Sequence, residues 1–248
     1  MKRPLLISVL LLLSCSSSIP IMDANIGSGA SFDIRGTVFN DIFKDSLMRS
    51  DTGRELNNSL LYSFPINATV RFSIGDRVEV GGWFFGGYGK FLILKPEPAA
   101  TGYLDRIALS AFVSGHMAGH LLGGQTESSL LAGLLTSYPL NEKCNLTSGI
   151  YGMFSRSQRS QAEMDFEFWV VKLTADRLRL VLPLSINYKV KYRAGQYIVF
   201  GGINFPLDLM ERYSITIDRG IDEPEIRSLG SSKRLNAELR AGVNFPVW

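Results

Sequence analysis

The chain has 248 residues, 20% of them charged and 46% hydrophobic, and a formal net charge of +3. That length suits one large all-β domain, and the small charge with scattered Lys and Arg excludes the basic footprint of a nucleic-acid binder. Beyond the first residues no apolar run reaches the ~18 residues a spanning helix needs, so any membrane would be crossed by strands.

Residues 1–14 read as an address. Lys2 and Arg3 precede an apolar run, Leu5 to Leu13, broken only by Ser8, and Leu12-Leu13-Ser14-Cys15 follows. A short basic region, a short apolar core and a small residue before the cut make a secretory signal. Its last four residues resemble the bacterial lipobox, in which the cysteine becomes the lipidated first residue of the mature chain. The resemblance implies acylation of Cys15. In enteric bacteria an aspartate after that cysteine retains lipoproteins at the inner membrane, so Ser16 implies sorting to the outer membrane. The alternative is an ordinary signal cut after Ser16–Ser18. Residues 15–30 then read as a lipidated, Gly- and Ser-containing tether ahead of a barrel domain over 31–248. With Cys15 acylated, Cys144 has no disulfide partner; two cysteines and two histidines far apart make no metal site, and no cofactor is expected.

Strand patterns follow. Phe32, Ile34 and Val38 alternate with Asp33, Arg35 and Thr37, and the polar stretch 44–58 reads as a long loop. Val70, Phe72 and Ile74 run against Thr69, Arg71 and Ser73 into Gly75-Asp76; Val78 and Val80 against Arg77 and Glu79 climb out. The clearest stretch is 177–190. Leu178, Leu180, Leu182, Leu184, Ile186, Tyr188 and Val190 hold one parity; Arg177, Arg179, Val181, Pro183, Ser185, Asn187 and Lys189 hold the other. A period of two marks a strand with one apolar and one polar face. Strands in water-soluble domains usually run ~5–6 residues, whereas a tilted membrane strand needs ~9–11. Pro183 removes a ladder bond and is expected at a bulge. The stretch 235–247 repeats the device, with Leu235, Leu239, Val243 and Phe245 opposite Glu238, Arg240 and Asn244.

Twelve strands are expected, at 31–42, 59–73, 77–86, 88–95, 106–120, 128–140, 144–155, 164–174, 177–190, 196–207, 209–218 and 235–248. Ten is the fallback, since 77–95 is ambiguous around Gly86-Gly87. Tight turns are placed near 75, 142, 175 and 208, and longer polar links at 44–58, 121–127, 156–163 and 219–234. Short turns belong to the periplasmic side of outer-membrane barrels, which puts both termini there. The expected fold is an antiparallel, up-and-down transmembrane β-barrel.

Over 31–248 the pattern resembles bacterial outer-membrane β-barrel proteins, without pinning one family. The resemblance implies a place in the cell outer membrane, with membrane lipid as a partner. Trp248 resembles the terminal aromatic such proteins present to the barrel assembly machinery, although Val243, Phe245 and Val247 hold the apolar parity here.

The polar parity collects both signs of charge: Asp33, Arg35, Arg71, Arg77, Glu79, Asp165, Glu167, Arg177, Arg179, Lys189, Arg212, Glu238 and Arg240. In a barrel these would line the lumen, as an ion-pair lattice or as the walls of a small, porin-like polar channel. For catalysis the candidates are Ser114 and His116, with Ser110 and His120 on the same parity, because a histidine beside a serine can activate it for acyl transfer. The leading expectation is a non-enzymatic, lipid-anchored outer-membrane barrel with a pore or structural role. Two rivals are an outer-membrane lipid hydrolase or acyltransferase using Ser114 and His116, and a soluble, lipocalin-like periplasmic lipoprotein binding an apolar ligand.

Overall fold

A computed structural model describes residues 23–37, 66–83, 86–97, 102–120, 125–164, 168–192, 195–218, 225–228 and 238–246. The expected signal over 1–14, Cys15, Asp165, Glu167 and Trp248 lie outside them. Eleven strands follow in chain order: β1 (Gly29–Thr37), β2 (Ile66–Ile74), β3 (Val78–Trp83), β4 (Gly86–Leu94), β5 (Ala108–His120), β6 (Gln125–Pro139), β7 (Cys144–Met164), β8 (Phe168–Tyr192), β9 (Gly195–Asp218), β10 (Glu225–Ser228) and β11 (Glu238–Pro246). All pairings are antiparallel. Chain neighbours β1 to β9 pair in sequence, and β11 joins β9 to β1, so ten strands close into a barrel. Short β10 continues the same edge of β9 further along, opposite Ser214 to Ile217. Closure pairs the first and last strands of the meander with their neighbours, which removes the two free edges an open sheet would carry.

The two ends of the barrel differ. Residues 75–77, 95–107, 140–143 and 193–194 connect strands at the end where β1 starts and β11 finishes; 38–65, 84–85, 121–124, 165–167 and 219–237 connect them at the other. We call these the turn end and the loop end.

Strand count and turn positions depart from the sequence reading in two places. The expected turns near 175 and 208 lie inside β8 and β9, which run for 25 and 24 residues. Each merges two expected strands, so twelve become ten. The expected polar link at 156–163 is the far end of β7, paired with β8 out to Met164 and Phe168. Acid-base pairs that read locally as turns, such as Asp176-Arg177, have cross-strand partners here.

The outer face of the wall is apolar, and the buried ion pairs face inward. Along β8, Val181, Pro183, Ser185 and Asn187 are buried, while Leu182, Leu184, Ile186 and Tyr188 are exposed. The same outward series continues through Phe72 and Ile74 on β2, each 61% exposed, Phe91 and Ile93 on β4, Leu130 and Leu134 on β6, and Val199, Phe205 and Leu207 on β9. Pro183 points inward, and no bulge accompanies it. The ladder to β7 simply skips from Ser148–Leu184 to Tyr151–Val181 without a change of register. The bulge instead falls between Leu178 and Arg179, which face Met210 and Asp208. It inverts the parity of the rest of β9, so Glu211 is buried and Arg212, expected in the lumen, is exposed.

The interior also packs apolar side chains: Trp83, Tyr88, Leu92, Phe112, Leu131, Leu135, Tyr151 and Val181. Phe112 and Tyr151 meet edge to face at 5.7 Å. Glycines make the room. Gly81 faces Tyr88 and Gly133 faces Tyr151 directly across the ladder, and a Cβ at either would overlap the tyrosine opposite. We expect Gly81→Leu to displace Tyr88 and lower unfolding stability by about 1–3 kcal/mol, the usual result of overpacking, read as a shifted urea midpoint. At the β2–β3 turn, where Gly75 has a φ of 66°, the Lys95 ammonium donates to Asp76 at 2.9 Å and holds that carboxyl below its ordinary range. A lowered folded pKa adds stability above the unfolded value, lost as pH falls through the folded one. The Asp76 titration should move up in Lys95→Gln, measurable by NMR.

Candidate functional site: the filled lumen and its strap

Residues 23–28, which the sequence assigns to a tether, are seated inside the turn end as a strap. Ala24 is fully buried. Its N–H donates to Ser137 Oγ at 2.9 Å, and Ser110 Oγ donates to its carbonyl. Ser137 donates in turn to Asp23 Oδ1 at 2.8 Å and lies 2.6 Å from Thr147 Oγ1, which also accepts from Asn187 Nδ2 at 3.0 Å. Gly27 N–H donates to Glu79 Oε2 at 2.7 Å, and the Ser28 and Ser73 hydroxyls meet at 2.7 Å. Small and polar residues suit this path, because the strap runs through space the wall leaves between its own side chains.

The centre of this network is an ion pair between Glu79 on β3 and Lys90 on β4, 3.0 Å apart, with both side chains 1% exposed. An ammonium has three donors. Those of Lys90 reach Glu79, the Asp23 carbonyl at 3.1 Å and the Asn25 carbonyl at 2.6 Å. Glu79 also accepts from Tyr88 Oη at 2.7 Å. Two of the three acceptors around the ammonium are therefore strap carbonyls, so strap and ion pair depend on each other. Beside the strap a cavity of about 950 Å³ stays open at the turn end, its lining including Arg71, Arg106, Glu142, Asn145 and Lys189.

A second polar layer lies nearer the loop end. His116, Ser129, Ser155, Arg177 and Glu211 are successive register partners across β5 to β9, and all are buried. Arg177 Nε donates to Glu211 at 2.7 Å, and Arg179 Nε to Asp208 at 2.5 Å. Among the described residues the lumen thus holds three ion pairs, Glu79–Lys90, Arg177–Glu211 and Arg179–Asp208.

The sequence-chosen residues divide. Glu79, Arg177 and Arg179 point into the lumen and are paired; Arg71 and Lys189 line the turn-end cavity. Arg77 is exposed in the 75–77 turn and does not line the lumen, because the strand starts only at Val78. Arg35, Glu238 and Arg240 lie on β1 and β11, with Arg35 opposite Arg240, but their side chains, like that of Asp33, lie outside the described residues. The same holds for His120. Ser114 and His116 face inward as their parity predicts, but they do not meet. Ser114 Oγ donates to the Gly87 carbonyl at 3.2 Å, whereas His116 Nδ1 lies 2.6 Å from Ser129 Oγ, its partner across the ladder. Sequence reasoning passed over Lys90, Ser129, Ser137, Asp208 and Glu211. Lys90 shares its inward parity with Tyr88 and Leu92, which hides the polar face, and the β9 bulge scrambles the parity of Asp208 and Glu211. The sequence matches no protein-family model and no curated protein.

Truncating Lys90 to Met should cost about 3–5 kcal/mol, since it strands a buried carboxylate. Adding Glu79→Gln should recover most of that loss, because it removes the stranded charge while the amide oxygen accepts from Gly27 and the amide N–H group donates to a reoriented Tyr88 hydroxyl. Urea midpoints of the two variants check both statements, and faster proteolysis of residues 23–28 in Lys90→Met reports release of the strap.

Proposed function

We propose that this chain is a lipid-anchored β-barrel of a bacterial outer membrane, with its lumen closed by its own side chains and strap. Its role in this reading is structural or docking, without enzymatic activity. The observation that carries the reading is the inverted polarity of the wall. Water-facing barrels that bind apolar ligands keep their large apolar residues inside, whereas here a continuous series that includes Phe72, Ile74, Leu130, Leu182, Leu184 and Phe205 faces out and the ion pairs face in. On β8 the outward apolar series from Leu178 to Tyr188 spans ten residue steps, about 25 Å along the axis at the usual tilt, which matches the apolar band of membrane barrels.

The strap supports an orientation within this reading. Asp23 sits in the turn end, and Cys15 lies eight residues earlier, within about 27 Å of extended chain. An acyl anchor at Cys15 therefore belongs to the leaflet on the turn side, which agrees with periplasmic short turns. The packed middle of the lumen favours a plug over an open pore. Ser114, His116 and Ser129 are 2%, 7% and 6% exposed and face inward, where a lipid outside the wall does not meet them; this favours the non-catalytic reading.

Leu184 lies near the middle of the outward series. Leu184→Arg should cost about 2–4 kcal/mol for a lipid-facing site, against changes within about 0.5 kcal/mol for a water-facing one. Folding titrations in lipid vesicles measure this, and a cost in the lower range sinks the membrane assignment. In planar bilayers the wild-type protein should give no conductance steps; regular steps would replace the plug with a channel.

A further inference from the structure

Outside the barrel, directly beyond the apolar series on its loop-end side, the wall changes character on β7, β8 and β9. The next outward position on each strand is charged: Arg156, Asp176 and Arg212, which are cross-strand partners in one row. Arg156 grips Asp176 with two hydrogen bonds, 2.6 and 2.9 Å, using both carboxylate oxygens. Arg212, exposed, stands beside a pair that is already neutral. Two residues further out Gln158, Thr174 and Ser214 form a second row, and beyond it comes Lys172 opposite Thr216. Asp176 and Lys172 are four residues apart, about 13 Å along β8. The surface thus offers cations with hydroxyl and amide groups between them, contiguous with an apolar wall.

We propose that this patch binds the phosphate-bearing headgroup of a membrane lipid whose acyl chains lie on the apolar wall beneath. The inference rests on the membrane reading above and deepens it. Guanidinium and ammonium groups match phosphate oxygens, hydroxyls match the glycerol or sugar oxygens of a headgroup, and the net charge of the named positions is positive: three cations against one carboxylate. Height agrees as well. The Arg156–Asp176–Arg212 row lies one outward step beyond Leu178, about 5 Å along the axis, which enters the headgroup layer of a bilayer whose hydrocarbon edge lies at that leucine, and Lys172 stands two steps further, above that layer. The β9 bulge is what supplies Arg212 to this face instead of to the lumen.

The test uses the full chain in lipid nanodiscs of phosphatidylcholine with a minor fraction of phosphatidic acid. Native mass spectrometry counts the lipids retained, and heat-modifiable gel migration reports folding. Wild type should retain phosphatidic acid above its bulk fraction. Lys172→Gln with Arg212→Gln, which leaves the Arg156–Asp176 pair intact, should lose roughly fivefold of that enrichment per cation removed. Asp176→Asn removes the single carboxylate and should raise it. Unchanged retention in the double variant, or a fall in Asp176→Asn, overturns the proposal. Folded wild type in discs without enrichment overturns it while leaving the membrane reading intact, whereas a barrel that never enters the discs overturns both.

Discussion

Closing a two-faced sheet with its apolar side outward forces the polar side chains of the opposite face into a confined interior. There each charge must find a partner or carry a large desolvation penalty. Glu79 with Lys90, Arg177 with Glu211 and Arg179 with Asp208 answer that demand. Alongside the ion pairs the lumen holds aromatic and aliphatic groups, with Gly81 leaving room for the Tyr88 ring and Gly133 for the Tyr151 Cβ across the ladder. Such an interior is a core in its own right, closer to a filled small barrel than to an aqueous channel.

The strap completes this logic at the turn end. An ammonium with one carboxylate partner still has two donors to satisfy, and in a lumen without bulk water the strap's backbone carbonyls are well suited to the task. A segment with the composition of a linker thereby becomes part of the core. A small residue matters at Ala24, which is fully buried and bonded on both sides to Ser110 and Ser137, where a larger side chain would compete with the wall for the same space.

Some of the architecture was legible in the sequence because it is local. The run from Arg177 to Asn187 announces a strand and its two faces through periodicity alone, and the structure buries and exposes the parities as that pattern requires. Strand boundaries were less legible. Asp176-Arg177 imitates the Asp76-Arg77 turn residue for residue, yet Asp176 pairs with Arg156 and Arg177 with Glu211 inside long strands. Both pairings join residues at least twenty positions apart, which no local window registers. Arg212 was misassigned for a related reason: one extra residue in β9 flips every parity after it.

By itself, then, the sequence determined an all-β chain of amphipathic strands with an apolar and a charged face, because side-chain alternation is a property of each strand alone. Only tertiary structure decided that ten strands close, that His116 meets Ser129 and not Ser114, and that residues 23–28 lie inside the turn end. These outcomes depend on register and closure, which are set by which strands lie side by side in space and not by the order of residues along any one of them.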